Sequence, residues 1–345
     1  MDKIAIVIND ISKSGGTERV AVFLSNSLSA FYNITLISIE NNGKSYYPLD
    51  DNVKLIYCES ESKFKLAKFL NKSKFDKIIP ISMGRLSFYL SCFLFFLRSK
   101  SELVLSEHVG FEVGNPLIKM MKLLGYSLAD KVVVLTEYDK KKIEKFGIKS
   151  IYKVPNASSF LPLKVINEDS KYILSIGRLT YQKNFERLLK IWSEVENKNG
   201  WKLKIIGDGE DINILNSLIN KYRIEDSTLI KPARKDIECE YLDARIFVMT
   251  SRYEGLPLVL IESKSFGLAA IAFDCVTGPI EIIENNKDGY VISYEDNYEF
   301  KNKLCELISD KCKLEKLQKQ ALMNSTHYSQ EKIVKIWLDC LRGKK

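Results

Sequence analysis

Two glutamates, Glu254 and Glu262, are separated by seven residues across the start of a predicted helix. Glu254 falls in a loop with Gly255, and Pro257 suits the first helical turn, where its missing N–H is not needed. A loop that leads into a helix presents backbone N–H groups and the positive end of the helix dipole, which together attract anions. The two carboxylates would accept from hydroxyls at two distances from that anion. The pattern is typical of a nucleotide-sugar site, and a surface loop with a capping Glu254 and a solvated Glu262 fits it equally well.

Further glycines and charged residues fall at the ends of predicted strands in the same half of the chain. They are Gly177, Arg178 and Lys183 after one strand, Gly207 and Gly209 after the next, Pro232, Ala233 and Arg234 after the third, and Glu254, Gly255 and Glu262 after the fourth. In a parallel sheet these ends meet at one edge. Arg178 offers a planar fork and Lys183 a point charge for phosphates. Either cation alone could be a solvated surface charge, so their joint placement carries the prediction of a nucleoside diphosphate site.

The first half of the chain offers a second set of candidates. Gly15 and Gly16 precede a predicted helix and could let the backbone approach a phosphate or an acceptor closely. Their spacing is not that of a dinucleotide fingerprint. His108 follows a predicted strand, where ligands gather in doubly wound sheets, and could hydrogen-bond a sugar hydroxyl or a diphosphate. The alternatives are a plain tight turn at the glycines and a structural histidine satisfied by the backbone.

The hydrophobic pattern predicts two α/β domains. Residues 3–39 read as a strand, a helix and a strand, which is a βαβ opening. The same alternation restarts at Tyr172, after an irregular linker at 157–170. With 345 residues, the chain is also too long for one ordinary α/β core. We therefore predict one domain over residues 1–160 and another over residues 165–325.

Composition and charge narrow the classes of function. Hydrophobic residues make up 46% of the chain and charged residues 28%, as in globular proteins. Residues 1–160 carry 23 Lys and Arg against 16 Asp and Glu, which is most of the net charge of +8. This excess favours an anionic partner for the first half, such as a bilayer surface or a lipid-linked pyrophosphate, with simple solubility as the alternative. The chain has no recognised nucleic-acid motif, so no nucleic-acid partner is expected.

Cysteine usage and the apolar segments indicate a cytoplasmic protein. The seven cysteines form no C-x-x-C pair, and with two histidines in the chain a zinc site is not expected. The N-terminus leads directly into a strand rather than a signal peptide. The longest apolar run, Leu86–Leu97, is too short to span a bilayer and is expected to be a buried or an interfacial helix. Residues 208–211 read as a turn and a helix cap, so cationic side chains would replace a metal in stabilising a leaving diphosphate.

Together these motifs resemble the family 4 glycosyltransferases, which have the GT-B fold. The matching residues are Ser14–Arg19, Gly177-Arg178, Lys183-Asn184, Gly207-x-Gly209, Glu254-Gly255-Leu256-Pro257, Glu262 and Gly278-Pro279. The likeness is dense over residues 171–292 and loose over residues 40–105. It implies an α/β protein with two Rossmann-like domains that face each other across a cleft. The N-terminal domain would bind the acceptor, with the final helix of about 328–342 packed back on it, and the C-terminal domain would bind the nucleotide sugar.

The resemblance also implies an activity. It is the transfer of a hexose or N-acetylhexosamine from a UDP-sugar, with retention of configuration and with no metal or other cofactor. The acceptor would be a glycan or an undecaprenyl-pyrophosphate-linked glycan of O-antigen, capsule or lipopolysaccharide synthesis. The enzyme would lie peripherally on the anionic inner face of the cytoplasmic membrane. The alternative is a non-catalytic nucleotide- or glycan-binding component of a polysaccharide assembly.

The same resemblance implies roles for individual residues. By that likeness Arg178 and Lys183 hold the leaving diphosphate, Glu262 binds ribose, Glu254 contacts the donor sugar, Gly255 and Leu256 supply N–H groups, Gly16 lies by the phosphates, and His108 lies near the donor sugar or the acceptor.

Overall fold

The structure is a computed structural model that describes residues 1–58, 62–82, 84–162 and 167–343. The chain divides into two compact units. The first unit comprises Met1–Asn156 and the C-terminal segment from Glu331, and the second comprises Ala157–Gln330. Part of the predicted linker and the predicted start of the second domain at residue 165 lie outside the described residues.

The first unit is built on a parallel sheet with the strand order β3-β2-β1-β4-β5-β6-β7. Its strands are β1 (Lys3–Ile8), β2 (Asn33–Ser38), β3 (Lys54–Tyr57), β4 (Lys77–Ser82), β5 (Glu102–Glu107), β6 (Lys131–Val134) and β7 (Ile151–Lys153). Its helices are α1 (Gly16–Ser29), α2 (Lys63–Lys72), α3 (Arg85–Phe96), α4 (Pro116–Leu128), α5 (Glu137–Glu144) and, at the C-terminus, α13 (Gln330–Arg342).

Local sequence explains where these elements begin and how they pack. Ile4 to Ile8 are almost completely buried, as expected for a central strand that is covered on both faces. The helix α4 begins at Pro116, and the side chain of Asn115 accepts a hydrogen bond from the N–H of Ile118 at 2.9 Å. Both features are typical of helix N-termini. In α13, Trp337 is 3% exposed, so this helix is anchored in the first unit.

The second unit is also built on a parallel sheet, with the strand order β10-β9-β8-β11-β12-β13. Its strands are β8 (Tyr172–Ile176), β9 (Lys202–Ile206), β10 (Thr228–Lys231), β11 (Ile246–Met249), β12 (Ala269–Asp274) and β13 (Gly289–Ser293). Its helices are α6 (Phe185–Ser193), α7 (Ile212–Tyr222), α8 (Glu238–Leu242), α9 (Leu258–Ser265), α10 (Pro279–Ile282), α11 (Asn297–Ser309) and α12 (Lys311–Ser325).

The predicted start of α9 was wrong. Pro257 is the N-cap of α9 rather than a residue of its first turn, since its backbone is extended with ψ of 114°. Its carbonyl still accepts the first hydrogen bonds of the helix, from Leu260 and Ile261.

The apolar run predicted to be buried or interfacial forms α3, and each description fits one side of this helix. Leu86, Leu90 and Leu94 lie in the core of the first unit, whereas Tyr89 and Phe96 are exposed. Over the described parts of the chain, no helix has both the length and the apolar character needed to cross a bilayer.

Candidate active site

The predicted residues of the second unit collect where its strand order changes direction. In this sheet β8 neighbours both β9 and β11, so the loops after β8 and β11 start next to each other at the switch point. Ligands of doubly wound sheets bind at this switch point, beyond the carboxyl ends of the strands. Gly177, Arg178 and Lys183 follow β8, and residues 254–256 follow β11. The strand order therefore explains why two loops that are far apart in sequence are neighbours in the fold.

A salt bridge joins the two loops. The Nζ atom of Lys183 lies 2.6 Å from Oε1 of Glu254, and their side chains are 15% and 8% exposed. Gly177 lies against Lys183, since a Cβ at position 177 would be 2.9 Å from Lys183 Cε. The alternative of a solvated, helix-capping Glu254 and a solvated Glu262 is wrong, because both residues are buried and α9 has no side-chain cap.

The backbones of the same two loops are also tied together. The N–H of Arg252 donates to the carbonyl of Gln182 at 2.8 Å, and the Gln182 side chain donates to the carbonyl of Tyr253 at 3.0 Å. The Arg252 guanidinium lies 3.8 Å from the centroid of the Tyr181 ring, as in a cation–π contact. These contacts hold the salt bridge at a fixed place on the sheet edge.

Arg178 differs from Lys183 in its surroundings. Its side chain is exposed and forms no hydrogen bond or ion pair with any described residue. The preceding Gly177 is fixed by its N–H, which donates to the carbonyl of Ile206 at 3.0 Å. A guanidinium that is anchored at its backbone and unpaired at its tip can meet an incoming anion without first breaking an existing contact.

Glu262 is held by a residue that the sequence did not single out. Its side chain is 1% exposed, and the hydroxyl of Tyr241 donates to its Oε2 atom at 3.0 Å. The Tyr241 ring stacks on Phe266 at a centroid distance of 4.9 Å, which fixes the hydroxyl in turn. Tyr241 lies in α8, and no pattern in the sequence connects it to Glu262.

Glycines allow the loop after β9 to approach the loop after β8. A Cβ at Gly207 would lie 1.9 Å from the carbonyl oxygen of Gly177, and one at Gly209 would lie 2.2 Å from that of Leu179. No larger residue fits at either position without moving the backbone. Asp208, between the two glycines, accepts a hydrogen bond from the N–H of Ala233 at 3.2 Å.

The other predicted residues on this edge lie farther from the switch point. Pro232 and Ala233 are exposed at the end of β10, the outermost strand, and Arg234 is paired with Glu240 at 3.1 Å. Asp211 is the N-cap residue of α7, but its side chain makes no capping bond. Among the residues that the structure describes, no three His, Cys, Asp or Glu side chains are grouped so as to hold a metal ion.

A third loop, between β12 and α10, contacts the loop that carries Glu254. The Thr277 hydroxyl donates to the carbonyl of Glu254 at 2.7 Å. Gly278 has a φ of 87°, and a Cβ there would lie 2.8 Å from the carbonyl oxygen of Gly255. Val276 has a φ of 77°, which is unusual for a β-branched residue. Gly278 and Pro279 are among the residues that carry the family resemblance, but nothing in the sequence indicates that their loop contacts Glu254.

In the first unit, His108 lies directly after β5. Its Nε2 atom is 3.0 Å from the Ser106 hydroxyl, and its backbone N–H donates to the carbonyl of Ser82 at 2.9 Å. Burial lowers the pKa of His108 to about 4, so the imidazole is neutral at neutral pH. The ring is therefore a neutral hydrogen-bonding group. Its partner is the Ser106 hydroxyl rather than the backbone.

A buried polar cluster surrounds Glu107, the residue before His108. The Ser87 hydroxyl donates to Oε1 of Glu107, whereas Oε2 is buried without a partner among the described residues. Burial raises the pKa of Glu107 to about 7, and it lowers the pKa of Lys122, whose ammonium donates to the carbonyl of Gly110 at 3.2 Å. No local pattern in the sequence indicates this cluster, because its members come from different elements.

The glycine pair at the start of α1 has a carboxylate beside it. A Cβ at Gly15 would lie 2.3 Å from Oε2 of Glu18, and the Thr17 hydroxyl donates to that same oxygen at 2.9 Å. A phosphate beside Gly16 would therefore require the Glu18 side chain to turn away. The structure brings Gly177, Lys183 and Glu254 together at the switch point of the second unit and leaves Pro232 and Ala233 at its outer strand. In the first unit, it places Gly15 and Gly16 after β1 and His108 after β5.

Solved structures of glycosyltransferases share this fold. The chain superposes on Staphylococcus aureus TarM, in a complex with UDP, with a TM-score of 0.84 over 99% of both chains at 17% identity. It superposes on Anabaena HepE, in complex with UDP and glucose, with a TM-score of 0.83 over 99% and 100% of the two chains at 14% identity. Two doubly wound parallel units with this likeness define the GT-B fold, which confirms the predicted fold class.

Sequence comparison then gives the family. Residues 162–323 match the family described as glycosyl transferases group 1. The amylovoran biosynthesis glycosyltransferase AmsD of Erwinia amylovora is 43% identical over 99% of this chain and 100% of its own. A Campylobacter jejuni relative is named as an α-1,4-N-acetyl-D-galactosaminyltransferase for a PP-undecaprenol-linked glycan, and it is 27% identical over 98% of both chains. The chain belongs to the group 1 glycosyl transferases and is a glycosyltransferase of the kind that builds bacterial surface polysaccharides.

This result confirms the family 4 resemblance and the prediction of an enzyme. The alternative of a non-catalytic nucleotide- or glycan-binding component is therefore wrong.

Proposed function

We propose that this glycosyltransferase moves a hexose or N-acetylhexosamine from a UDP-sugar to a lipid-linked glycan, with retention of configuration and without a metal ion. The observation that carries the proposal is the 2.6 Å bridge between Lys183 and Glu254 at the switch point, with Arg178 exposed and unpaired on the loop that carries Lys183. This arrangement offers positive charge to a diphosphate and a carboxylate to the sugar attached to it.

The site would have to stabilise the leaving diphosphate. As the bond between sugar and diphosphate breaks, negative charge grows on the diphosphate, and Arg178 and Lys183 would stabilise it from fixed positions. The N-terminus of α9, with Gly255 and Leu256 before it, adds the positive end of a helix dipole. In this proposal the cationic side chains fill the role that a divalent metal has in other transferases.

The carboxylates would position the donor. Glu262, oriented by the Tyr241 hydroxyl at 3.0 Å, would accept hydrogen bonds from the ribose hydroxyls. Glu254 would contact the transferred sugar, because its partner Lys183 places it next to the proposed diphosphate position. His108, which burial keeps neutral, would hydrogen-bond the donor sugar or the acceptor, and Gly16 would lie by the phosphates once Glu18 had moved.

The acceptor part of the proposal is supported by the names of two relatives. One is named for amylovoran biosynthesis and the other for a glycan carried on PP-undecaprenol. We extend this to an undecaprenyl-pyrophosphate-linked glycan of O-antigen, capsule or lipopolysaccharide synthesis. Such an acceptor would place the enzyme peripherally on the inner face of the cytoplasmic membrane, with the anionic lipid surface as a partner.

A thermal-shift panel with UDP-, GDP- and ADP-sugars tests the donor. A bound donor at about one hundred times its Kd should stabilise the fold by about 2.7 kcal/mol, and we expect this from UDP-sugars alone. Transfer to an undecaprenyl-pyrophosphate-linked glycan, with NMR assignment of the new anomeric centre, then tests the reaction. A preference for GDP- or ADP-sugars, an inverted product, or loss of the rate in the presence of a chelator would each contradict the corresponding part of the proposal.

A further inference from the structure

Three neighbouring helices of the first unit form one continuous outer layer. α3 packs against both α2 and α4. α3 and α4 are especially close, since a Cβ at Gly125 would lie 3.2 Å from the Cα atom of Phe88. Leu66, Leu90 and Tyr126, one from each helix, point into the core of the unit. The opposite sides of the same helices therefore share an outward surface, which we call the helical face.

The helical face exposes large apolar side chains on all three helices. On α3 and α4 these are Tyr89 (39% exposed), Phe95 (62%), Phe96 (77%), Leu117 (59%), Met120 (61%) and Leu124 (50%). Leu117, Met120 and Leu124 are spaced three and four residues apart, so they form one stripe along α4. Single exposed apolar residues are ordinary, but a contiguous group marks an interaction surface.

Aromatic contacts continue this surface onto α2. The Tyr89 and Phe93 rings are stacked at a centroid distance of 6.2 Å, and Phe93 meets Phe64 of α2 edge-on at 5.3 Å. The ammonium of Lys68 lies 4.9 Å from the centroid of the Phe64 ring. The apolar patch is therefore bordered by lysine on the α2 side.

The charge of the helical face has one sign. The sequences of the three helices, KFKLAKFLNK, RLSFYLSCFLFF and PLIKMMKLLGYSL, contain seven lysines or arginines and no aspartate or glutamate. Lys122 is buried and Lys119 is paired with Glu112, but Lys65, Lys68 and Arg85 are exposed. A patch that combines exposed aromatics with unopposed cations is complementary to anionic phosphates above an apolar layer.

We propose that the helical face docks the enzyme on an anionic lipid bilayer, with apolar side chains at the acyl boundary and lysines on the lipid phosphates. The inference rests on the proposed lipid-linked acceptor, to which it adds the surface that brings the enzyme to it. Charge argues against a second copy of the chain, because a two-fold contact would oppose identical cations.

Flotation of the purified full chain with vesicles tests the proposal. We compare vesicles of phosphatidylcholine with vesicles in which part of this lipid is replaced by phosphatidylglycerol. Wild-type protein should bind the anionic vesicles more tightly. The double variant Lys65→Glu with Lys68→Glu should bind them about 30-fold or more weakly, since each cation near an anionic surface contributes substantially. Phe96→Ser with Met120→Ser should weaken binding about tenfold or more by removing inserted apolar area.

Matched controls lie on the second unit. Lys190→Glu reverses an exposed lysine of α6, and Met323→Ser removes a methionine of α12 that is 67% exposed, close to the 61% of Met120. Both should float as wild type does. Wild-type flotation of both face variants would overturn the proposal, as would a concentration-dependent dimer that the face variants abolish.

A second assay separates this inference from the proposed activity. With a soluble acceptor that lacks the lipid, the face variants should keep the wild-type transfer rate, because the helical face carries none of the proposed catalytic residues. Lipid-dependent flotation of an enzyme that transfers no sugar would refute the proposed function and leave the docking surface standing. An enzyme that transfers sugar but does not bind vesicles would refute the docking surface and leave the proposed function standing.

Discussion

The two units share a strand order, and the switch point of the second differs in charge from the end of β5 in the first. In the second unit, Lys183 and Glu254 form a salt bridge at 2.6 Å and Arg178 remains exposed. In the first unit, the end of β5 carries His108, whose pKa burial lowers to about 4, and Glu107, whose pKa burial raises to about 7. The switch point of the second unit preserves charge, and burial suppresses charge at the end of β5. The chemistry of the site, rather than the fold, separates their roles.

The physical reason for the difference is whether a counter-charge lies within bonding distance. Lys183 and Glu254 lie 2.6 Å apart. Glu107 instead receives a hydroxyl from Ser87 on one oxygen and has no hydrogen-bond partner on the other among the described residues, so desolvation outweighs the opposing charge of Lys122 and raises the pKa of Glu107. We infer that the switch point of the second unit is prepared for the diphosphate and the end of β5 for uncharged hydroxyls.

Replacement of Arg178 is expected to have the largest effect. Arg178→Ala should lower kcat about a thousandfold, because it removes a preorganised donor for a developing negative charge. The melting temperature should not change, since the side chain is exposed and forms no hydrogen bond or ion pair with the described residues. Steady-state kinetics with a UDP-sugar donor measure this, with Arg178→Lys expected to recover part of the rate. A wild-type rate in Arg178→Ala would remove the proposed contrast between the units, and exposed Arg342→Ala is the control.

A double-mutant cycle on the salt bridge should give the next largest effect. Glu254→Gln should lower turnover about a hundredfold. It should also lower the free energy of unfolding by about 2 kcal/mol, because the largely buried Lys183 loses its charged partner. Lys183→Met combined with Glu254→Gln should cost less stability than the sum of the single changes, since no unpaired charge remains. Kinetics and chemical denaturation of all three variants measure the two effects. Additive stability losses would show that the pair does not couple the loops.

Part of this comparison follows from sequence and part does not. The strand ends, and with them Arg178, Lys183 and Glu254, follow from hydrophobic runs that end at glycine or at polar residues, because these signals are local. Tyr241 and Thr277 could not be found in this way, since each contacts a glutamate more than twenty residues away. Their contacts arise from tertiary packing and leave no periodicity in the chain.

The apolar run that forms α3 shows the same limit in another form. Composition identified the segment but could not decide between burial and exposure. The sheet takes up Leu86, Leu90 and Leu94 and leaves Tyr89 and Phe96 outside. Which side of such a helix is exposed depends on its neighbours. α2 and α4 are the neighbours of α3 in the fold, and the hydrophobic pattern of α3 itself does not show this.

The suppressed charge of the first unit should be visible in the pH dependence of stability. The pKa of His108 falls from 6.5 to about 4 on folding, so the unfolded chain binds more protons in this range. The contribution is therefore complete above the unfolded pKa and is lost as the pH falls towards the folded one. Relative to His108→Gln, the wild type should lose about 2 kcal/mol of stability between about pH 7 and about pH 5.

Urea denaturation at the two pH values measures this difference. The raised pKa of Glu107 acts in the opposite direction, because its protonated form is favoured in the folded state, but it is present in both proteins and largely cancels. His327→Gln, at the exposed second histidine, is the matched control. An equal difference at both pH values would mean that folding does not lower the pKa of His108, and the contrast between the end of β5 and the switch point of the second unit would fail.

Removal of the hydrogen bond from Thr277 to the Glu254 carbonyl should have the smallest effect. Thr277→Val keeps the shape of the side chain but leaves the Glu254 carbonyl without its 2.7 Å hydrogen bond, which should cost about 1 kcal/mol of stability. We expect turnover to fall about tenfold with little change in the KM for the donor, because a displaced Glu254 weakens the transition state more than binding. Thr277→Ser retains the hydroxyl and should behave as wild type. Equal rates in Thr277→Val and Thr277→Ser would mean that the Lys183 bridge alone fixes Glu254, and that the third loop does not contribute to the second unit's preserved charge.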